Sequence, residues 1–198
     1  MSLITLPSTF KVRSFALSMA TNQRVTASPF GGSEQAVDLL NDRWMMSVEL
    51  PECAPSDALW REAWIASMRG QVNWVALHHF QHPYPAGTAR GTILVNGAVA
   101  QGASSIAVDG ISPSTGTLLA GDMIGIGGQL FMVAADVTAS GGAATVSIVN
   151  RVRVAIADNA AVTWSKPTAP FRLLSASAVR YTPGLASAMQ IEFGEYIA

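Results

Sequence analysis

The chain has 198 residues, 49% of them hydrophobic and only 13% charged, with 12 basic against 13 acidic side chains and a net charge of −1. That length buries one good core or two small ones, and the charged fraction is about half that of an ordinary soluble domain. The balance excludes a basic field for sequence-specific nucleic-acid binding, and no apolar run approaches the ~18–20 residues of a spanning helix, so no membrane span is expected.

In the N-terminal region, Lys11 and Arg13 precede Ser14-Phe15-Ala16-Leu17-Ser18-Met19-Ala20. This superficially copies a signal peptide, but the apolar stretch is short and carries two serines. The alternation of Phe15, Leu17 and Met19 reads instead as one face of a strand. A turn is expected at Ser28-Pro29-Phe30-Gly31-Gly32, then a strand over Trp44–Leu50, ended by Pro51. A helix is predicted near 55–69, with Pro55 in its first turn, Asp57 and Glu62 toward its N-terminal half, and Arg69-Gly70 closing it. Trp60, Trp64 and Met68 recur at i, i+4 and i+8, flanked by Leu59 and Ala63. That stripe is expected to pack on a sheet, in preference to forming a sugar-stacking platform. The lone Cys53 makes no internal disulfide, which points to a cytosolic origin.

The middle region, residues 86–166, is bracketed by Pro83 and Pro85 before it and Pro167 and Pro170 after it. Between Gly91 and Asn150 its only charged side chains are Asp109, Asp122 and Asp136, with no Lys, Arg, His, Cys, Trp or Tyr. Turn signals are frequent: Asn96-Gly97, Asp109-Gly110, Gly127-Gly128 and Gly141-Gly142. Residues 123–126 and 130–133 flank one of them as a hairpin, and residues 145–149 alternate as a further strand. Short strands with glycine turns predict a small β-barrel or β-sandwich. The last stretch carries strand patterns at Phe171–Leu174 and Met189–Phe193, but about thirty residues cannot fold alone. The expected fold is therefore mainly β, sandwich-like with one packed α-helix, plus an inserted small barrel or sandwich. Residues 1–85 and 167–198 make the discontinuous β domain, and residues 86–166 make the insertion.

Candidate chemistry is sparse. His78, His79 and His82 cluster, but Phe80-Gln81 separates them where a metalloprotease helix needs a Glu between two His at i, i+4. A loop explains them as well. Gly125-Ile126-Gly127-Gly128 lacks the Lys-Ser/Thr of a phosphate loop and fits the hairpin. Cys53 stands between Glu52 and Ala54 with no activating base beside it, and no G-x-S-x-G elbow is present. Glu192 and Glu195 read as solvated strand-end charges and not as a glycosidase couple. No catalytic, cofactor-binding or metal-binding residue is assigned, no cofactor is expected, and the chain is read as a non-enzyme.

Several stretches taken together resemble a known family. They are Ser28-Pro29-Phe30-Gly31-Gly32 with Gln35, Arg43-Trp44, Val48-Glu49-Leu50-Pro51, Trp60 with Trp64, and Arg69-Gly70. The middle adds Gly87-Thr88-Ala89-Arg90-Gly91, Val95-Asn96-Gly97-Ala98 and the run from Gly121-Asp122 to Phe131, and Phe171-Arg172-Leu173 follows near the end. In this order they are similar to siphophage and prophage minor tail proteins of the distal tail, or tail-tip baseplate ring, family. The resemblance implies a structural virion protein, made in the bacterial host cytoplasm. It would assemble with itself as a ring, usually a hexamer, joining the tail tube protein to the hub and receptor-binding apparatus. Extra domains of such proteins contact other tail proteins or host surface glycans. Here the insertion replaces the large second domain of some members. Within the ring, the segment from Phe10 to Met19 is expected to serve as an edge strand or arm paired with a neighbour. A carbohydrate- or receptor-binding module, with the insertion as binding unit, is the alternative. It is weakened because Phe131 and Trp164 are the only aromatics between Gly91 and Lys166. A cell-wall hydrolase is a third and weaker reading.

Overall fold

Alternation of large apolar and small or polar residues along Arg43–Leu50 and Met189–Glu195 lets both segments bury one face while the other stays open. The computed structural model describes residues 1–197, and the chain is mainly β with a single helix. In chain order come β1 (Ser14–Ala20), β2 (Gln23–Ala27), β3 (Glu34–Asp38), β4 (Arg43–Leu50) and helix α1 (Pro55–Met68). Then follow β5 (Val75–Leu77), β6 (Ile93–Val95), β7 (Ser105–Asp109), β8 (Thr117–Leu118), β9 (Met123–Ile126) and β10 (Gln129–Met132). The rest are β11 (Val137–Thr138), β12 (Ala144–Ser147), β13 (Ala161–Thr163), β14 (Ala169–Ala176), β15 (Tyr181–Thr182), β16 (Leu185–Ala186) and β17 (Met189–Glu195).

Contacts divide the chain into two units. The first comprises residues 1–18, 44–83 and the segment from Lys166 onward; the second comprises residues 19–43 and 84–165. Residues 19–43, expected in the first domain, therefore group with the second. Arg151 and Arg153 supply the reason, since they hold Asp38 and the backbone of Asp42.

The first unit is built on a five-stranded sheet of order β1-β4-β17-β14-β5. β17 runs antiparallel to β4, from Met189 opposite Leu50 to Gly194 opposite Met45, and antiparallel to β14. β14 in turn pairs with β5. The C-terminal strands thus occupy the centre of the sheet that the first region begins. Trp44, Met46, Val48, Leu50, Phe171, Ile191 and Phe193 are buried on its inner face.

The helix lies against β14 and β16. It starts with Pro55 and stops at Arg69, whose backbone turns left-handed (φ 49°) and donates its N–H to the Ala66 carbonyl. Its buried stripe is Ala58, Arg61, Trp64 and Met68. This corrects the expected stripe: Trp60 is only half-buried, while Leu59 and Ala63 face outward. Arg61 holds the inner position with its Nη1 donating to the Pro51 carbonyl at 2.6 Å and its guanidinium 5.7 Å from the Trp60 ring centre.

The second unit holds the six-stranded sheet of order β10-β9-β13-β6-β7-β12. Its two ends meet just beyond the named strands, where Val133 bridges Ile148. The Ala134 N–H donates to Ser147 O at 2.8 Å, and the Val149 N–H to Met132 O at 2.9 Å. The sheet closes on itself, so the expected barrel or sandwich is a barrel, which leaves no open edge. Ile93, Val95, Ile106, Val108, Ile124, Ile126, Phe131 and Val146 fill it. Gly87 is required where the chain joins the barrel, because a Cβ there would sit 2.0 Å from the Thr117 carbonyl oxygen.

Candidate functional site

The residues 22–42 leave the first sheet as a hairpin. β2 pairs antiparallel with β3 from Gln23 opposite Asp38 to Ala27 opposite Glu34. The tip turns through Pro29-Phe30-Gly31-Gly32, with Gly32 at φ 62° and the Ser28 N–H donating to Ser33 O at 2.9 Å. The base is tied by polar groups. The Asn22 N–H donates to Asp42 Oδ1 (2.9 Å), the Asn22 side-chain amide donates to Leu40 O (2.8 Å), and the Leu40 N–H donates to Asp38 Oδ1 (3.0 Å). Arg151 Nε lies 3.1 Å from Asp38 Oδ2, and Arg153 Nη1 donates to Asp42 O at 2.9 Å.

All ten strand residues of this hairpin are exposed. Among them are Val25 and Val37, and at the tip Phe30 is 98% exposed. Isolated two-stranded hairpins are at best marginally stable in water, and single exposed apolar residues are common. A tied-down hairpin that presents two half-exposed valines and a fully exposed phenylalanine is less ordinary. Its strands were only faintly visible in the sequence, because neither Gln23–Ala27 nor Glu34–Asp38 has a buried face to impose strong alternation. The expected edge strand or arm lies over Phe10–Met19. β1 is an edge strand of its sheet, and Phe10, ahead of it, is buried against Trp64, with ring centroids 5.3 Å apart.

The polar clusters have structural occupations. Asp122 is buried and accepts three backbone N–H groups, from Ala86 (2.7 Å), Gly87 (3.2 Å) and Leu119 (2.8 Å). Asp136 accepts the Ala120 N–H and Asp158 the Gly97 N–H. Glu192 accepts the Ser175 hydroxyl at 2.9 Å. Glu195, expected to be solvated, is buried and accepts the Trp44 N–H at 3.1 Å. The strand carries its side chain inward, where it caps the start of β4. Cys53 pairs through its backbone with Ala186 in both directions. Gly125–Gly128 forms the end of β9 and the β9–β10 turn.

His78, His79 and His82 follow β5 in a loop. His79 Nδ1 accepts the His82 N–H at 2.9 Å, and the two rings lie 5.0 Å apart. Burial pushes the imidazoles of His78 and His79 below their ordinary range; nearby Lys166 adds to this at His78, and His82 adds to it at His79. Among the described residues, no three His, Cys, Asp or Glu side chains are grouped to hold a metal ion. The two aromatics of residues 91–166 are both engaged. Phe131 is fully buried in the barrel, and Trp164 donates to Gly91 O at 2.9 Å with the Arg90 guanidinium 5.1 Å over its ring. No described helix is long and apolar enough to cross a membrane. No known protein family matches the chain, and no curated protein is significantly similar to it.

Proposed function

We propose that the chain is a structural tail-tip protein of a tailed phage or prophage. It assembles into a ring, hexameric by the family resemblance, that joins the tail tube to the hub and receptor-binding apparatus in the virion. The exposed β2–β3 hairpin carries this reading. Phe30 is almost fully exposed and Val25 and Val37 about half exposed, and a subunit of a closed ring has two unlike faces that must both be buried by copies of itself. Strand and hairpin addition supplies main-chain hydrogen bonds to such contacts. The low charge of the whole chain fits surfaces of that kind. The polar groups lean the same way, since Asp122, Asp136 and Asp158 are occupied by backbone N–H groups and the histidines by one another and by aromatic rings.

The test is the native mass of the purified full chain, with electron micrographs of the same sample. Wild type is expected to form closed rings, alone or with the tube and hub proteins added. The double variant Phe30→Asp/Val37→Asp is expected to stay monomeric while melting within about 0.5 kcal/mol of wild type, as exposed substitutions do. A wild type that remains monomeric with both partners present overturns the ring. Specific binding to a glycan array would then favour a receptor-binding module instead.

A further inference from the structure

An aromatic ladder runs from the core of the first unit to the three histidines. Trp64 meets Phe193 and Phe10, and Phe10 stacks on Phe80 with centroids 5.9 Å apart. Phe80 is flanked by Phe15 at 5.5 Å and by His78 at 5.1 Å, and Phe15 presents its ring to His79 at 4.7 Å. The loop after β5 therefore meets the N-terminal segment through ring contacts at Phe10 and Phe15, while β1 is also paired with β4 in the sheet. One of the gripping rings, His79, is an imidazole that uses its Nδ1 lone pair to accept the His82 N–H, while His78 backs the other, Phe80, from within the loop.

We propose that this loop is an acid-sensitive latch, closed at neutral pH and released on acidification, when Phe10–Ala20 loosens from the loop after β5. Protonation of His79 at Nδ1 replaces its lone pair with a hydrogen and so removes the bond from His82. It also sets a cation beside the other two imidazoles. The charges that act on His78 and His79 are those of Lys166 and of the neighbouring imidazoles, none of them negative. β1 has no charged side chain, and Arg13 just before it is occupied by Glu49 at 3.6 Å. The loop itself supplies only the three histidines, and Lys166 adds a further positive charge toward His78. Burial and these neighbours hold both imidazoles below their unfolded range. For a histidine so depressed, the folded state binds fewer protons than the unfolded chain. Its contribution is complete above pH ~6.5 and is lost as pH falls from there through the lower folded value.

The experiment is hydrogen exchange of the full chain at pH 7.5 and 5.5, corrected for intrinsic rates. Residues 10–20 are expected to lose protection on the order of tenfold at pH 5.5, while barrel peptides from residues 91–163 keep theirs. His79→Asn, whose amide oxygen replaces the Nδ1 acceptor without titrating, combined with His78→Gln, is expected to abolish the acid loss. Equal protection of residues 10–20 at both pH values overturns the latch, as does an undiminished acid loss in the double variant. Should that variant fail to fold, the imidazole proton resonances of wild type decide. A loss of protection at residues 10–20 that follows the His78 and His79 midpoints supports the latch, and a loss that does not follow them overturns it.

Discussion

Asp122 shows how a charged residue in a nearly charge-free segment can serve the fold alone. Its two carboxylate oxygens accept N–H groups from both sides of the barrel's mouth: Ala86 and Gly87 where the chain arrives, Leu119 where it turns toward β9. Buried bonds to a charged acceptor are among the stronger ones, and removing one partner leaves desolvated donors. Asp122→Asn keeps the shape but offers one acceptor oxygen and two donors to three N–H groups. We expect it to cost about 2–4 kcal/mol, read as a lower urea midpoint with unchanged slope. An effect under about 0.5 kcal/mol would mean that water replaces the carboxylate. The sequence revealed the scarcity of acids but not this use. Ala86 lies 36 residues from Asp122, and no local pattern announces such a bond.

At the scale of elements, α1 was readable in extent but not in phase. Pro55 and Arg69-Gly70 mark its ends in the sequence, and the helix does run from Pro55 to Met68. Its tryptophans invited the wrong face, because the buried position between them is filled by Arg61, a residue that pattern reading assigns to solvent. The strands were clearest where one face is buried, as in β4 and β17, and where a glycine pair fixes the turn, as between β9 and β10. They were obscure in the hairpin, where neither face is buried. The true phase of the helix separates its two tryptophans. Trp64 is buried, touches Phe10 and Phe193, and donates its indole N–H to Thr5 O at 3.0 Å. Trp64→Ala is expected to destabilise by about 3–5 kcal/mol. Half-buried Trp60 loses less apolar contact, and Trp60→Ala is expected to cost under about 2 kcal/mol. Equal losses in thermal melts of the two variants would contradict this assignment of the helix face.

The whole molecule raises the question of whether the barrel is an insertion in the energetic sense as well as the topological one. The sheet order β1-β4-β17-β14-β5 includes no strand from residues 84–165, so removing them breaks no ladder in the first sheet. The ends to be rejoined are adjacent, because the Lys166 N–H donates to Pro83 O at 2.6 Å. A linker of about three Gly-Ser residues spans such a gap easily. The buried apolar cluster of the barrel, in turn, draws only on residues between Ala89 and Val162. Each core is thus assembled from its own residues, and each should unfold as its own cooperative block. What the deletion does remove is Arg151 and Arg153, which tie down the base of the β2–β3 hairpin. The exposed Arg151–Asp38 pair contributes at most about 1 kcal/mol, so the loss should stay local. The shortened chain, Pro83 joined to Lys166, is expected to keep a single cooperative urea transition. Its slope should be smaller because less surface is exposed on unfolding, and the hairpin alone should exchange faster. Loss of cooperativity would mean that the first sheet depends on the barrel. A truncated subunit that folds yet still closes rings would assign assembly to the first unit and the hairpin, leaving the barrel free for contacts outside the ring.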